Sequence, residues 1–143
     1  MNLRHTCAIF PFACLLFFIA SCRNETEQLL TRKWDCVKVE NLELSDGMHQ
    51  NPEDSLNTAR AIAALETLSW TFKSNHEYEC AAAGRVLTQG TYGLAEDGKM
   101  LICTPSTRNN INRYIITVLN ENELVLNSGF PPLVLHFKAH YRN

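Results

Sequence analysis

Apolar and polar residues alternate at every second position along most of the chain from Ser69 to its end. In the first of these segments Trp70 and Phe72 share one face, while Thr71 and Lys73 share the other. Successive side chains of a β-strand point to opposite faces of the sheet, so a period of two predicts half-buried strands. Short turns rich in Asn, Asp and Gly separate the segments, as expected between antiparallel neighbours. The pattern therefore predicts an all-β domain of antiparallel strands.

The same period appears once earlier in the chain. There the alternation predicts Val37 and Val39 on one face of a strand, and Trp34 and Cys36 on the other. Near the end of the chain it likewise places Val118 on the same face as Tyr114 and Ile116. In all, about eight strands are predicted, at residues 33–40 (an extension to Leu44 also fits), 69–74, 78–83, 86–94, 100–104, 113–119, 124–126 and 133–139.

One helix is predicted, at residues 52–68, directly after the first strand. Asn51 can cap its start, and Pro52 suits the first helical position. The apolar residues recur at helical spacing on one side of this segment, at Leu56, Ala59, Ile62, Ala63 and Leu68. The functional interpretation of this helix is a lid over an opening, and the alternative is an element that only packs against the strands.

Short strands joined by tight turns are typical of an antiparallel sandwich or of an up-and-down barrel. The long first strand, the helix that follows it and the uninterrupted run of hairpins favour the barrel. The predicted fold is therefore an antiparallel, up-and-down, eight-stranded β-barrel with one α-helix inserted after the first strand. Residues 29–143 are predicted to form this single domain.

The N-terminal segment reads as a secretory signal at residues 1–21. Arg4 supplies a positive charge, and the apolar run at 6–19 is shorter than the ~20 residues that span a bilayer. Ile19-Ala20-Ser21-Cys22 at its end resembles the lipobox of bacterial lipoproteins. The alternatives are a freely secreted, cleaved protein and an uncleaved membrane anchor.

The lipobox resemblance implies that the thiol of Cys22 receives a diacylglycerol, that the chain is cut before it, and that the new amine is acylated. Two or more acyl chains anchor a protein stably to a membrane. The predicted location is the envelope of a Gram-negative cell, at the outer membrane. Residues 22–28 are predicted to form a polar tether between the anchor and the barrel, because they contain few apolar side chains.

Charge and cysteine content restrict the function further. The chain has 13 basic and 15 acidic residues with no basic cluster, so a nucleic-acid partner is not expected. Beyond Cys22 only Cys36, Cys80 and Cys103 remain, an odd number. They form at most one disulfide or are all buried as small apolar residues, and burial is favoured because their neighbours look like strands.

Motifs of known catalytic chemistry do not occur in the sequence. There is no Gly-x-Ser-x-Gly elbow, phosphate-binding loop or Cys-x-x-Cys pair, so an enzyme is not expected. His76 and Cys80 could share a strand face, but no third ligand accompanies them, so no metal and no cofactor are predicted.

Several short motifs resemble the lipocalin-like domains of bacteroidete-type bacterial lipoproteins. Trp34 after Leu29-Leu30 resembles their opening strand, where an early tryptophan closes the barrel floor. Residues 71–78, 90–92, 124–126 and 135–138 resemble later strands and hairpins of that family. The resemblance implies a barrel and no defined chemistry.

The barrel predicts a function in binding, because an eight-stranded barrel is filled by side chains or holds one small ligand. We expect a small hydrophobic ligand in an apolar pocket, with tyrosine hydroxyls that orient it. The alternative is a packed barrel that acts at the cell envelope as a protein-interaction or inhibitor module without a ligand. The predicted pocket residues are Trp70, Phe72, Tyr78, Tyr92, Tyr114, Ile116, Leu135 and Phe137.

Overall fold

The computed structural model describes residues 25–42, 52–107, 110–129 and 132–141. Eight antiparallel strands form a closed barrel in which each strand pairs with its neighbour in sequence and the last pairs with the first. The predicted up-and-down barrel is confirmed. The elements are α1 (Glu25–Leu30), β1 (Lys33–Glu40), α2 (Pro52–Leu65), β2 (Leu68–Phe72), β3 (Glu77–Ala82), β4 (Arg85–Ala95), β5 (Met100–Pro105), β6 (Asn112–Leu119), β7 (Glu123–Asn127) and β8 (Val134–Ala139).

Some predictions lie outside the described residues: the signal at 1–21, lipidation of Cys22, the cap at Asn51 and the extension of β1 to Leu44. Within the described residues, the core fills the barrel interior. Every strand except β6 contributes buried residues to it, because inward positions alternate with outward ones along a strand, and the inward residues of β6 pack against the core while only half-buried. Its members include Trp34, Cys36, Val39, Trp70, Phe72, Tyr78, Cys80, Tyr92, Leu101, Cys103, Leu124, Leu126, Leu135 and Phe137.

The alternation in β1 is interrupted by a bulge. The pairing of β1 with β8 shifts between Cys36 and Lys38, which adds one residue to β1 at Val37. Beyond the bulge the period is inverted, so Val39 is buried at 7% exposure whereas Val37 is 46% exposed. The prediction that Val37 and Val39 share a face is therefore wrong.

Strand β6 carries a second bulge with the same consequence. Its pairing with β7 shifts between Ile116 and Val118. Leu119 consequently packs against the core together with Tyr114 and Ile116, while Val118 is exposed. The simple alternation had placed Val118 on the inward face.

The lower end of the barrel, where β1 begins, is closed by Trp34. Its ring is fully buried, and its Nε1 donates a hydrogen bond to the carbonyl oxygen of Leu30 at 3.0 Å. The guanidinium of Arg32 lies 5.5 Å from the centre of that ring and donates to the carbonyl oxygen of Glu121 at 2.7 Å. The tryptophan thus occupies the floor position that the family resemblance implies.

Helix α1 occupies part of the predicted tether. The structure is helical from Glu25, whereas the sequence predicts an unpacked segment through residue 28. Leu30 is fully buried beneath the barrel, and Thr31 donates to the carbonyl oxygen of Glu27 from its backbone and its hydroxyl. The acidic residues at 25 and 27 suit the positive end of the helix dipole. The folded part therefore begins before residue 29.

Helix α2 joins the upper ends of β1 and β2, opposite the floor. It ends at Leu65, before the predicted boundary, because Leu68 already belongs to β2. Ile62 and Leu65 pack against the core, whereas Leu56 is 52% exposed. Only the last turns of the helix therefore contact the barrel among its described side chains.

Candidate functional site

All eight predicted pocket residues belong to the core or pack against it. Tyr114 and Ile116, both on β6, are only half-buried although they pack inward. The exposed fraction of the other six is 7% or less: Trp70, Phe72, Tyr78, Tyr92, Leu135 and Phe137. The interior beside β6 is therefore less tightly sealed than the interior beside β2, β3 and β8.

Five of these residues form one aromatic cluster with Trp70 at its centre. The ring of Trp70 lies 5.4 Å from that of Tyr114, 5.8 Å from Phe137, 5.9 Å from Phe72 and 6.1 Å from Tyr78, between ring centroids. Such distances are favourable for aromatic pairs. The structure thus gathers side chains from β2, β3, β6 and β8 around one indole.

Tyr92 is separated from this cluster by Phe72, whose ring lies 5.1 Å away in an edge-to-face contact. Its hydroxyl donates to the carbonyl oxygen of Lys73 at 2.9 Å, and its ring lies 5.7 Å from that of His76. Tyr92 therefore belongs to the lower end of the barrel, next to the turn between β2 and β3.

Three free cysteines lie beside the aromatic cluster. Cys36, Cys80 and Cys103 are buried without disulfides, as the sequence predicts. Cys80 is the direct pairing partner of Trp70 across β2 and β3, and Cys36 is that of Phe137 across β1 and β8. These thiols are not among the predicted pocket residues, although Cys80 follows Tyr78 at the spacing that shares a strand face.

Burial keeps the ionisable groups of this region neutral. It raises the pKa of Cys36 and Cys80 from 9.0 to about 11, and that of Cys103 to about 12. Burial also raises the pKa of the phenols of Tyr78 and Tyr114, with smaller contributions from the neighbouring Cys103 and Cys80. The thiols and phenols are therefore protonated at neutral pH and can act as hydrogen-bond donors.

The indole nitrogen of Trp70 has no hydrogen-bond acceptor among the described residues, although it is buried. Trp34 makes the contrast clear, because its Nε1 is bonded to Leu30. His136 Nε2 also has no hydrogen bond within the described part of the chain, but it lies 3.5 Å from a carboxylate oxygen of Glu40. We call Trp70, Tyr78, Tyr114, Cys36, Cys80 and Cys103 the lumen site.

The lumen site contains no charged side chain. No polar or charged residue in the described ranges is buried. The described residues also contain no group of three or more His, Cys, Asp or Glu arranged to hold a metal ion. The side chain of His76 is 59% exposed whereas Cys80 is buried, so the structure separates these two residues.

Among the cavities at the surface of the barrel, three are lined by described residues and have volumes of about 160, 250 and 380 Å³. The largest lies at the lower end between α1 and β4, beside Glu27, His76 and Tyr92. Tyr78 contributes to the smallest, on the outside of β3 and β4. Of the described residues, Trp70 and Tyr114 line none of these three cavities.

Within the described residues, no helix has the length and apolar character that a membrane span requires. No protein-family model matches the sequence, and no curated protein matches it significantly.

Solved structures do resemble the chain. A DUF4847 family protein from Bacteroides vulgatus superposes with a TM-score of 0.53 at 13% identity, over 82% of this chain and 98% of that one. A lipocalin-like protein from Bacteroides uniformis gives a TM-score of 0.52 at 12% identity, over 78% of this chain and 99% of that one. At these identities the likeness shows the fold, which is a lipocalin-like barrel.

Proposed function

We propose that this barrel binds a small, mostly hydrophobic ligand at the lumen site. The observation that carries the proposal is the buried Nε1 of Trp70, which has no acceptor among the described residues. A buried donor without an acceptor destabilises a folded protein, and native structures contain few of them. A bound ligand that supplies an acceptor removes this penalty, whereas a purely structural core gains nothing from it.

Two further observations support a binding function. Tyr114 and Ile116 pack inward but remain half-buried, so the barrel is less tightly sealed beside β6 than elsewhere. The lipocalin-like fold is compatible with the role, because an eight-stranded barrel that is not filled by side chains can hold one small ligand. The rings around Trp70 would supply apolar contact area, and the phenols and thiols would orient polar atoms of the ligand.

A fluorescence titration tests this function. The chain without its predicted signal, residues 1–21, would be titrated with a fatty acid, a sterol and a hydrophobic dye. The fluorescence of Trp70 would report on binding at the lumen site. We expect saturable one-to-one quenching by at least one of these compounds. Tyr114→Glu should abolish the quenching in a protein that is still folded by circular dichroism, because a carboxylate in the lumen is costly to bury.

Ile115→Glu is the matched control, because Ile115 neighbours Tyr114 but is 47% exposed. This variant should bind like the unmodified protein. Flat titrations with all three compounds would contradict the binding function and would favour the packed interaction or inhibitor module.

We further propose that the protein is a lipoprotein, held at the envelope membrane through Cys22. The support is the lipobox-like Ile19-Ala20-Ser21-Cys22 at the end of a signal-like segment. Cys22→Ala should release the protein from the membrane fraction and abolish the acyl mass at its N-terminus. Cys14→Ala, within the apolar run, should leave both unchanged. A Cys22→Ala protein that still sediments with membranes, beside an unmodified protein without acyl mass, would contradict the anchor.

A further inference from the structure

We propose that the ligand of the lumen site is an uncharged molecule with an acceptor oxygen, such as a ketone or an ester, and that Trp70 Nε1 donates to that oxygen. This inference rests on the proposed binding function and deepens it by naming the class of ligand. It follows from the donors that the site presents and from the charges that surround it.

The lumen site requires one type of hydrogen-bonding atom from its ligand. An indole N–H is a donor only, so Trp70 can be satisfied only by an acceptor. No acceptor of the described residues forms a hydrogen bond with it. A pure hydrocarbon would leave this donor unpaired, and an ammonium group has no acceptor to offer. The ligand therefore carries an oxygen or a comparable acceptor.

The surroundings of the lumen site also restrict the charge of its ligand. A buried carboxylate needs a cation beside it, because isolated buried charges are strongly unfavourable. Arg32 is engaged with Trp34 and Glu121 at the lower end, and the Lys33 and Lys73 side chains are 43% and 47% exposed. No buried cation occurs among the described residues.

The ionisable side chains of the lumen site offer no countercharge to an anion. The thiols and phenols are protonated and neutral, so they cannot compensate an anionic group by charge. A neutral carbonyl satisfies Trp70 without introducing a charge.

The test compares three probes of similar chain length on the full-length protein in a mild detergent: 2-tridecanone, dodecane and dodecanoate. The chain contains only two tryptophans. Their indole N–H resonances can therefore be followed separately after ¹⁵N labelling, with Trp70→Phe to assign them. We expect 2-tridecanone to move the Trp70 resonance downfield. The Trp34 resonance should stay unchanged, because that N–H is already bonded to Leu30.

Affinity provides the second measurement. Trp70→Phe keeps an aromatic ring but removes the N–H, so it should weaken 2-tridecanone binding about fivefold, the usual effect of one hydrogen bond. Dodecane binding should change much less in the same variant. If Trp70→Phe does not fold, nuclear Overhauser contacts with the ring of Tyr114 assign the Trp70 indole resonance, and its shift in the unmodified protein decides alone.

The outcomes separate the inference from the function on which it rests. Tighter binding of dodecanoate than of 2-tridecanone would overturn the uncharged ligand but leave the binding function intact. So would binding of 2-tridecanone with no shift of the Trp70 resonance. Binding of none of the three probes would overturn the binding function itself.

Discussion

Trp70 on β2 and Tyr114 on β6 meet edge to face across the barrel, with ring centroids 5.4 Å apart and ring planes at 83°. Three strands separate β2 from β6 in either direction around the closed sheet. No backbone ladder therefore brings these residues together, and their contact depends on closure of the whole barrel. The contact also lies where a ligand of the lumen site would be held, so the same two rings connect stability with binding.

A double-mutant cycle measures this contact. Trp70→Leu and Tyr114→Leu should show a coupling energy of about 0.5–1.5 kcal/mol in urea unfolding, the typical value for an aromatic pair. Trp70→Leu combined with Ile115→Val should show none, because Ile115 faces away from the lumen. A coupling of zero for the first pair would mean that the two rings do not touch in solution.

Trp34 should contribute more to stability than any exposed residue of β1. Its ring is fully buried, and its Nε1 is bonded to the Leu30 carbonyl. Trp34→Ala should therefore lower the free energy of unfolding by about 3–5 kcal/mol. Val37→Ala, in the exposed bulge of the same strand, should change it by less than about 0.5 kcal/mol. If chemical denaturation gave similar losses of unfolding free energy for Trp34→Ala and Val37→Ala, Trp34 would lie outside the core.

Gly90 and Gly93 on β4 differ sharply in the space around them. A Cβ built at Gly90 would lie 2.0 Å from the carbonyl oxygen of Thr104, on the paired strand β5, whereas one at Gly93 meets nothing within 4 Å. Gly90→Ala should thus destabilise the barrel by roughly 1–3 kcal/mol or more through displacement of the β4–β5 pair. Gly93→Ala should be close to neutral. Equal unfolding midpoints for the two variants would contradict the close approach.

The period-two pattern was sufficient to predict the strands, because alternation reflects the two faces of a sheet. The choice of a barrel over a sandwich came from the long first strand, the helix after it and the uninterrupted run of hairpins. It failed at Val39 and Val118, where one extra residue inverts the faces of β1 and β6. A bulge at these positions has no glycine or other local marker in the sequence. It becomes evident only from the pairing with the neighbouring strand.

The inward-facing side chains of the candidate site were predictable in their identity more than in their arrangement. Alternation indicated which side chains of β2, β3, β4, β6 and β8 face inward, and all eight predicted residues do so. Alternation could not show that Tyr92 belongs to the lower end of the barrel. That position is evident only from the hydrogen bond of its hydroxyl to the carbonyl oxygen of Lys73, beside the β2–β3 turn. Nor could alternation show that Trp70 lacks an acceptor while Trp34 has one, because hydrogen bonding depends on tertiary distances.

The buried thiols predict how stability depends on pH. The pKa of Cys36 and Cys80 is raised from 9.0 to about 11, and that of Cys103 to about 12, chiefly by burial. Above about pH 9 the unfolded chain loses thiol protons that the folded chain keeps, so ionisation favours unfolding. Below pH 9 the thiols are protonated in both states, and their contribution to stability is fully present.

The urea midpoint should consequently fall steadily from about pH 9 towards pH 11. Burial also raises the pKa of Tyr78 and Tyr114, so these phenols act in the same direction at higher pH. Cys103→Ala is the informative variant, because it removes the thiol with the largest shift in pKa and should make the fall of the urea midpoint shallower.

Alkylation followed by mass spectrometry checks the burial of the three thiols directly. At about pH 8 the three thiols should react with iodoacetamide only after urea is added, since reactivity requires an accessible thiolate. Rapid alkylation of Cys80 or Cys103 in the native protein, or a midpoint that does not change with pH, would contradict their burial.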